Sequence, residues 1–351
     1  MRDQHLLLVT PGFPADEGDS LCTPPVQLLL EALSHACPEL RISVLALHYP
    51  LPERRYLWHG RTVQTLGLDN RPWPFRLLGL LGALGAARAF DRQCAITHVH
   101  ALWLGDAAMT AWRFSRTRRL PLSLTAMGQD VLPNNRYLSL LTRSHASIVA
   151  ISDRAGKILE RSTGRPPAKV IPWGIGPGPE DLLPTKDRPI DVLGVGSLIE
   201  LKAWDRFLEV IEATVEQGSP LRAVLVGDGP LRPALEKRAE SRGLGDRLTF
   251  TGELPRPEVL RLMERSRILL HPSMFEGQGV VFDEALSRGM SIVSRSVGGA
   301  RPSPRWQIGQ PETFAGQCLE LLRNPPATTP LILHPLEKTV TDYLELWGCW
   351  S

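Results

Sequence analysis

Apolar runs of strand length alternate with stretches of helical spacing along the whole chain, the arrangement that βαβ units and parallel sheets require. Runs at 6–9, 42–47, 97–102, 122–126, 148–151 and 170–171 read as strands of a first domain. Runs at 191–195, 223–226, 248–251, 268–270 and 292–294 read as strands of a second, with helices near 204–216, 231–242 and 256–267 between them. The segment 177–189 holds four prolines and no periodicity, which predicts a linker. The expected division is a first domain over 1–176, a linker over 177–190, a second domain over 191–334 and a C-terminal helical segment over 335–351.

The pattern is most informative at 271–299, HPSMFEGQGVVFDEALSRGMSIVSRSVGG. After the strand at 268–270 comes a loop to Gly279, then a helix from Val280 to Ser287, then a break at Arg288-Gly289 and a short strand that ends in Gly298-Gly299. The first N–H groups of a helix have no partner inside it and carry positive partial charge, so this helix start suits a phosphate or a hydroxyl-rich ligand. Gly277 and Gly279 allow close approach of the backbone. Glu276 lies in the loop and Glu284 about one turn into the helix, so the two carboxylates address different parts of one elongated ligand, which suits a nucleotide sugar. A glycosidase-like acid and base would have to flank a single bond, and a loop residue and a helix residue so separated do not obviously converge. The plain alternative is a surface helix after a glycine-rich turn.

Composition changes this picture little and charge changes it more. A chain of 351 residues with 43% apolar and 22% charged residues is an ordinary globular protein of two-domain size. The stretch 75–90, FRLLGLLGALGAARAF, is the nearest approach to a membrane span, but it is short, broken by glycines and carries Arg76 and Arg88, so it reads as a helix. The N-terminal MRDQHLLLVTPGFP reads as a first strand rather than a signal peptide, and a cytoplasmic location is expected. Cys22, Cys37, Cys94, Cys318 and Cys349 are odd in number and widely spaced, suggesting neither disulfides nor zinc. The net charge of +3 conceals an asymmetry, because residues 1–178 hold 20 Lys+Arg against 13 Asp+Glu and the remainder 20 against 24. The basic half includes Arg54-Arg55 and the run Arg113, Arg116, Arg118, Arg119, which attracts anionic surfaces or a lipid-diphosphate acceptor unless it is simply a solvated face. Nucleic acid is excluded as a partner class, since these cations are not interleaved with stacking aromatics.

FEGQGVVFDEALSRG followed by SIVSRSVGG resembles the E-x7-E signature of retaining family-4 glycosyltransferases, whose GT-B fold sets two Rossmann-like α/β domains facing across a cleft. The resemblance implies that Glu276 lies near the hydroxyls of the donor sugar and that Glu284 holds the ribose. Gly277, Gln278, Gly279 and Val280 then line the nucleotide at the helix start. LGVGSLIELKAWDRFLEV resembles the segment in which a G-R-L turn and a following lysine grip the donor diphosphate, which puts Lys202 at the lysine position. A cation there neutralises charge on the leaving diphosphate without metal. The turns Gly194-Val195-Gly196 and Gly227-Asp228-Gly229 are not dinucleotide fingerprints, because the third glycine falls on Ile199 and Arg232. The C-terminal helix of such a protein can cross back onto the first domain.

Departures from the family pattern are as informative. Ser197 stands where an arginine is usual and brings a hydrogen bond but no charge. In PLSLTAMGQD the usual histidine is Met127, while Gly128 and Asp130 remain, so no imidazole acts there. The first loop lacks the adjacent glycine pair, though Gly12 permits close approach to the diphosphate. Segment 98–105 resembles the family's H-x-H strand end, so His100 is a candidate contact to sugar or acceptor. A buried, hydrogen-bonded histidine is the competing reading, and two histidines without a carboxylate cluster make a poor metal site. Trp173 replaces an asparagine near the domain end. The expected function is metal-independent retaining transfer of a hexose-type sugar from a nucleoside-diphosphate sugar to a saccharide or lipid-linked acceptor, with no cofactor, peripheral contact with an anionic membrane, and polysaccharide biosynthesis as the setting. The alternative is a non-catalytic nucleotide-sugar binder or partner subunit of the same fold, which Met127 and Ser197 motivate.

Overall fold

A computed structural model of the chain describes residues 4–69, 73–218 and 221–349. The chain forms two compact units, Met1–Gly174 with Leu336–Ser351, and Ile175–Pro335. In the first, β1 (His5–Gly12), α1 (Pro24–Ala36), β2 (Arg41–Tyr49), β3 (Arg54–Trp58), β4 (Arg61–Thr65) and α2 (Trp73–Gln93) are followed by β5 (His98–Leu102), α3 (Asp106–Arg118), β6 (Leu122–Ala126), α4 (Leu138–Leu141), β7 (Ser147–Ala150), α5 (Asp153–Thr163) and β8 (Lys169–Val170). The sheet order is β3-β4-β2-β1-β5-β6-β7-β8, parallel except for the β3–β4 pair. β1 is apolar along its length because helices cover both faces of a parallel sheet, and Leu6, Leu7, Leu8 and Val9 are all buried.

The second unit runs β9 (Ile190–Val195), α6 (Trp204–Glu216), β10 (Ala223–Val226), α7 (Arg232–Ser241), β11 (Leu248–Gly252), α8 (Arg256–Glu264) and β12 (Ser266–His271). It continues with α9 (Val280–Ser287), β13 (Ser291–Ser294), β14 (Trp306–Ile308) and α10 (Pro311–Arg323). Its sheet, β11-β10-β9-β12-β13-β14, is parallel throughout. Both sheets therefore start centrally, build outward in one direction and then restart on the other side. The order reverses between β1 and β5 in the first unit and between β9 and β12 in the second. Such a reversal opens a crevice beyond the carboxyl ends of the two strands, where ligands of open α/β sheets bind. The last helix, α11 (Leu336–Leu346), belongs to the first unit. It is fixed there by Thr339 Oγ1 donating to Pro172 O at 2.8 Å and by Lys169 between Asp342 and Glu345, both at 2.7 Å.

The strands read from the apolar runs are present, with ends that match or shift by up to three residues. Three strands were not visible in the pattern. The β3–β4 hairpin is an edge pair whose Arg54 and Arg55 break the apolar signal, and its turn, His59-Gly60, takes positive φ at both residues (43° and 75°) as a tight two-residue hairpin requires. β14 has three residues, too few for any periodicity. The proline-rich segment 177–189, expected as a linker, lies inside the second unit. Arg188 ties it there, donating to Ser266 O and Arg288 O at 2.8 Å each, and the chain passes between units at Gly174–Ile175 and Pro335–Leu336. The stretch 75–90 is helical within α2. Among the described residues no helix is long and apolar enough to cross a membrane.

Candidate active site

In the second unit every expected site residue follows the carboxyl end of a strand. β9 leads through Gly196 and Ser197 into a 3-10 turn, Glu200–Lys202, and β12 ends on His271 before the loop that carries Glu276. Because β9 and β12 flank the order reversal, their loops meet: Lys202 Nζ lies 2.5 Å from Glu276 Oε1. His271 Nε2 lies 2.7 Å from the same oxygen. The His271 ring is fully buried, edge-on to Trp204 and Phe282. Burial pushes His271 below its usual range against the pull of Glu276, so the ring is neutral and donates from Nε2. Burial opposes ionisation of Glu276 too, but the hydrogen bond from His271 and the Lys202 charge outweigh it and hold the carboxyl at about 2. Glu276 is thus a fixed carboxylate in a half-closed setting.

The loop from Glu276 to Gly279 ends on Gly279, which caps α9 with φ 83°, and a side chain there would strike Phe282. Gly298 also needs its positive φ (54°), and a Cβ on it would fall 2.2 Å from Gln278 O, so the Gly298-Gly299 turn packs directly on the loop; Gly299 N donates to Gln278 O at 2.7 Å. Gln278 is buried, and Val280 opens the helix. The turns Gly194–Gly196 and Gly227–Gly229 are rich in glycine for a related reason: a Cβ on Gly227 would lie 2.0 Å from Gly196 O and one on Gly229 2.7 Å from Leu198 O. The exposed Ser197 uses its carbonyl to accept from Trp204 Nε1 at 2.9 Å.

Glu284 lies one turn into α9 and is paired, which the sequence reading did not foresee. Arg256 Nε donates to Glu284 Oε1 at 2.8 Å from the start of α8. Burial raises the Glu284 pKa, and Arg256 offsets part of that rise. Beside it, Asp283 is buried and faces His334 Nδ1 with both oxygens, at 3.0 and 3.1 Å, while Gln278 Nε2 approaches Oδ2 at 3.4 Å. Arg256 and His334 lie far from the signature in sequence and carry no local pattern. His271 had a signal, as a polar residue ending a buried strand.

In the first unit the expected residues are committed to the fold. Asp130 accepts from the backbone of Leu104 (2.8 Å), Met127 (3.0 Å) and Gly128 (2.7 Å), fixing the loop after β6. His98 and His100 share a face of β5 as their spacing requires, and both bond Ser123 Oγ, at 2.9 and 2.6 Å. The other ring nitrogen of His100 meets Thr125 Oγ1 at 3.1 Å, which in turn meets Tyr343 OH of α11 at 2.9 Å. Burial lowers His98 to about 4 and His100 to about 3, so both are neutral. Gly12 ends β1 beside Tyr49 of β2. A cluster that the sequence did not reveal sits on the same carboxyl edge. Tyr137 OH donates to the buried Asp106 at the start of α3, His48 Nε2 lies 3.6 Å from the other Asp106 oxygen, and Arg136 donates to Tyr137 OH at 2.7 Å. Among the described residues no three His, Cys, Asp or Glu side chains group as metal ligands.

Comparison with known proteins agrees with this geometry. The chain is 28% identical over 313 residues to a 2-deoxystreptamine glucosyltransferase of Streptomyces kanamyceticus, covering 85% of this chain and 77% of that one. It is 34% identical over 113 residues to an alpha-D-kanosaminyltransferase of the same organism, a match of 32% of this chain that spans only 29% of that relative. The solved structure of Anabaena HepE in complex with UDP and glucose superimposes with TM-score 0.71 at 15% identity, covering 99% of this chain and all of that one. The fold is GT-B, built from two Rossmann-like α/β units. Residues 182–302, which hold Lys202, Glu276 and Glu284, match the family of glycosyl transferases group 1.

Proposed function

We propose that the protein transfers a hexose-type sugar from a nucleoside-diphosphate sugar to a hydroxyl of a saccharide or lipid-linked acceptor, with retention at the anomeric carbon. The observation that carries this reading is the Lys202–Glu276–His271 cluster at the order reversal of the second sheet, beside the N-terminus of α9. In this reading Glu284, held at Oε1 by Arg256, takes the ribose hydroxyls. The helix start at Gly279 and Val280 and the Lys202 ammonium face the diphosphate, and Glu276 accepts from hydroxyls of the sugar. As the sugar–phosphate bond breaks, negative charge grows on the diphosphate, and preorganised donors around it stabilise that charge without a metal ion. The leaving phosphate then assists removal of the acceptor proton, so Met127 is compatible with turnover. The Asp106–Tyr137–His48 cluster marks the acceptor side of the first unit.

Three observations support the reading: the family match, the UDP and glucose bound by the HepE structure, and the sugar-transferring relatives. The basic first unit supports an acceptor carried on an anionic surface, tested by co-sedimentation with anionic vesicles at low and high salt. Incubation with a panel of nucleotide sugars plus saccharide and lipid extracts, read as released nucleoside diphosphate by mass, tests the activity. Release that depends on acceptor supports transfer. Nucleotide-sugar binding without release under any acceptor would leave a non-catalytic binder or partner subunit of the same fold.

A further inference from the structure

Away from the carboxyl edge, the first unit holds a cavity of about 530 Å³ lined by Trp112, Arg116, Arg119, Arg143, Ser144 and His145 among others, and no carboxylate lines it. It forms where α3 ends and where β6 and β7 begin, the amino edge of the sheet. Strands of five residues separate that edge from the loops described above by roughly 16 Å, so the cavity is a distinct place on the unit.

Arg116, Arg119 and Arg143 are all exposed and line this one cavity with no carboxylate among its lining residues. Arg118, next in sequence, is paired with Asp91 at 2.7 Å, whereas Arg116 lies over the Trp112 ring at 5.7 Å. The loop that carries Arg143 and His145 is held from the far side of the sequence. Arg165 donates to the carbonyls of Thr142 (3.1 Å), Ser144 (3.2 Å) and Ala146 (3.4 Å), which removes three acceptors from that loop and fixes its path. Arg119 itself closes α3 with φ 55°, a left-handed conformation that favours glycine. Placing arginine there strains the backbone, which a role in merely complementing the helix end would not require, since Arg116 and Arg118 already do so.

We propose that this cavity is a binding site for a phosphate-bearing anion of two or more negative charges, gripped by the guanidinium forks of Arg116, Arg119 and Arg143 with His145 at its rim. Guanidinium forks match phosphate oxygens in pairs, and converging forks select a multiply charged group over chloride or a carboxylate. The ligand comes either free in solution, as a small phosphate or diphosphate, or as the headgroup of an anionic phospholipid. The site stands independently of the transferase reading.

The test titrates inorganic pyrophosphate into the full chain by calorimetry, and in parallel sediments the chain with phosphatidylcholine vesicles with and without phosphatidic acid. Arg119→Gly relieves the backbone strain, so it melts no lower than the parent, yet it weakens binding about tenfold in the arm that carries the ligand. Arg143→Gln does the same, while Arg206→Gln, on an exposed face of α6 in the other unit, leaves that binding in place. The arm that responds identifies the source. Unchanged binding by Arg119→Gly and Arg143→Gln in both arms, or a loss seen only with Arg206→Gln, overturns the proposal.

Discussion

The two units have the same architecture and spend their polar residues in opposite ways. In the second, the charged groups at the order reversal converge from separate loops: Lys202, Glu276 and Glu284 keep side-chain exposures of 19%, 13% and 13%. In the first, His98 and His100 lie within β5 and Asp130 follows β6, and their polar atoms bond Ser123, Thr125 and backbone N–H groups. A polar residue on or after a strand is therefore a poor sign of chemistry by itself. Groups that meet one another, rather than the backbone, mark the place where a ligand finds charge.

The largest expected effect is on the first unit and on stability. His98 and His100 are neutral when folded and take up a proton near pH 6.5 when unfolded. Unfolding thus binds protons between pH 6.5 and about 3, so stability is complete above that window and is lost as pH falls through it. Denaturant unfolding at pH 7 and pH 4 should differ by on the order of 1–3 kcal/mol per ring. His100→Asn should flatten the slope; an unchanged slope would show that the buried rings do not carry it. Next, Glu276→Gln should lower transfer by about 10²–10³-fold with nucleotide affinity kept, read as kcat against KM. Lys202→Met should lower transfer by roughly 10²-fold, with turnover in the parent insensitive to EDTA. Abolition by EDTA with rescue by magnesium or manganese would contradict the role given to Lys202.

Much of this contrast was legible in the sequence, and the missing parts have physical reasons. Strands buried on both faces announce themselves as apolar runs, and the signature at 276–284 announces its loop and helix because glycine and helix-start chemistry are local. Glu284 was assigned only a ribose, whereas Arg256, 28 positions earlier, pairs with it across the packing of α8 on α9. Nothing local links those residues. The same holds for His334 on Asp283 and for Tyr137 on Asp106, pairs made by tertiary folding alone. For His100 the sequence left a ligand contact and a buried, hydrogen-bonded ring open, because an alternating H-x-H pattern looks the same in both cases; its ring nitrogens bond Ser123 and Thr125. The linker was placed in 177–189 because proline disrupts periodicity, but an irregular segment can still pack, and Arg188 packs this one.

The central claim is that nucleotide recognition resides in the second unit and rests on Glu284, with Glu276 reserved for the sugar. Calorimetry with free nucleoside diphosphates tests it on the parent and on Glu284→Ala, Glu276→Ala and Asp130→Asn, each confirmed folded by its circular dichroism. The account predicts a loss of about 1–3 kcal/mol for Glu284→Ala and parental affinity for the other two. Equal losses for Glu284→Ala and Glu276→Ala, or a loss confined to Asp130→Asn, would contradict it.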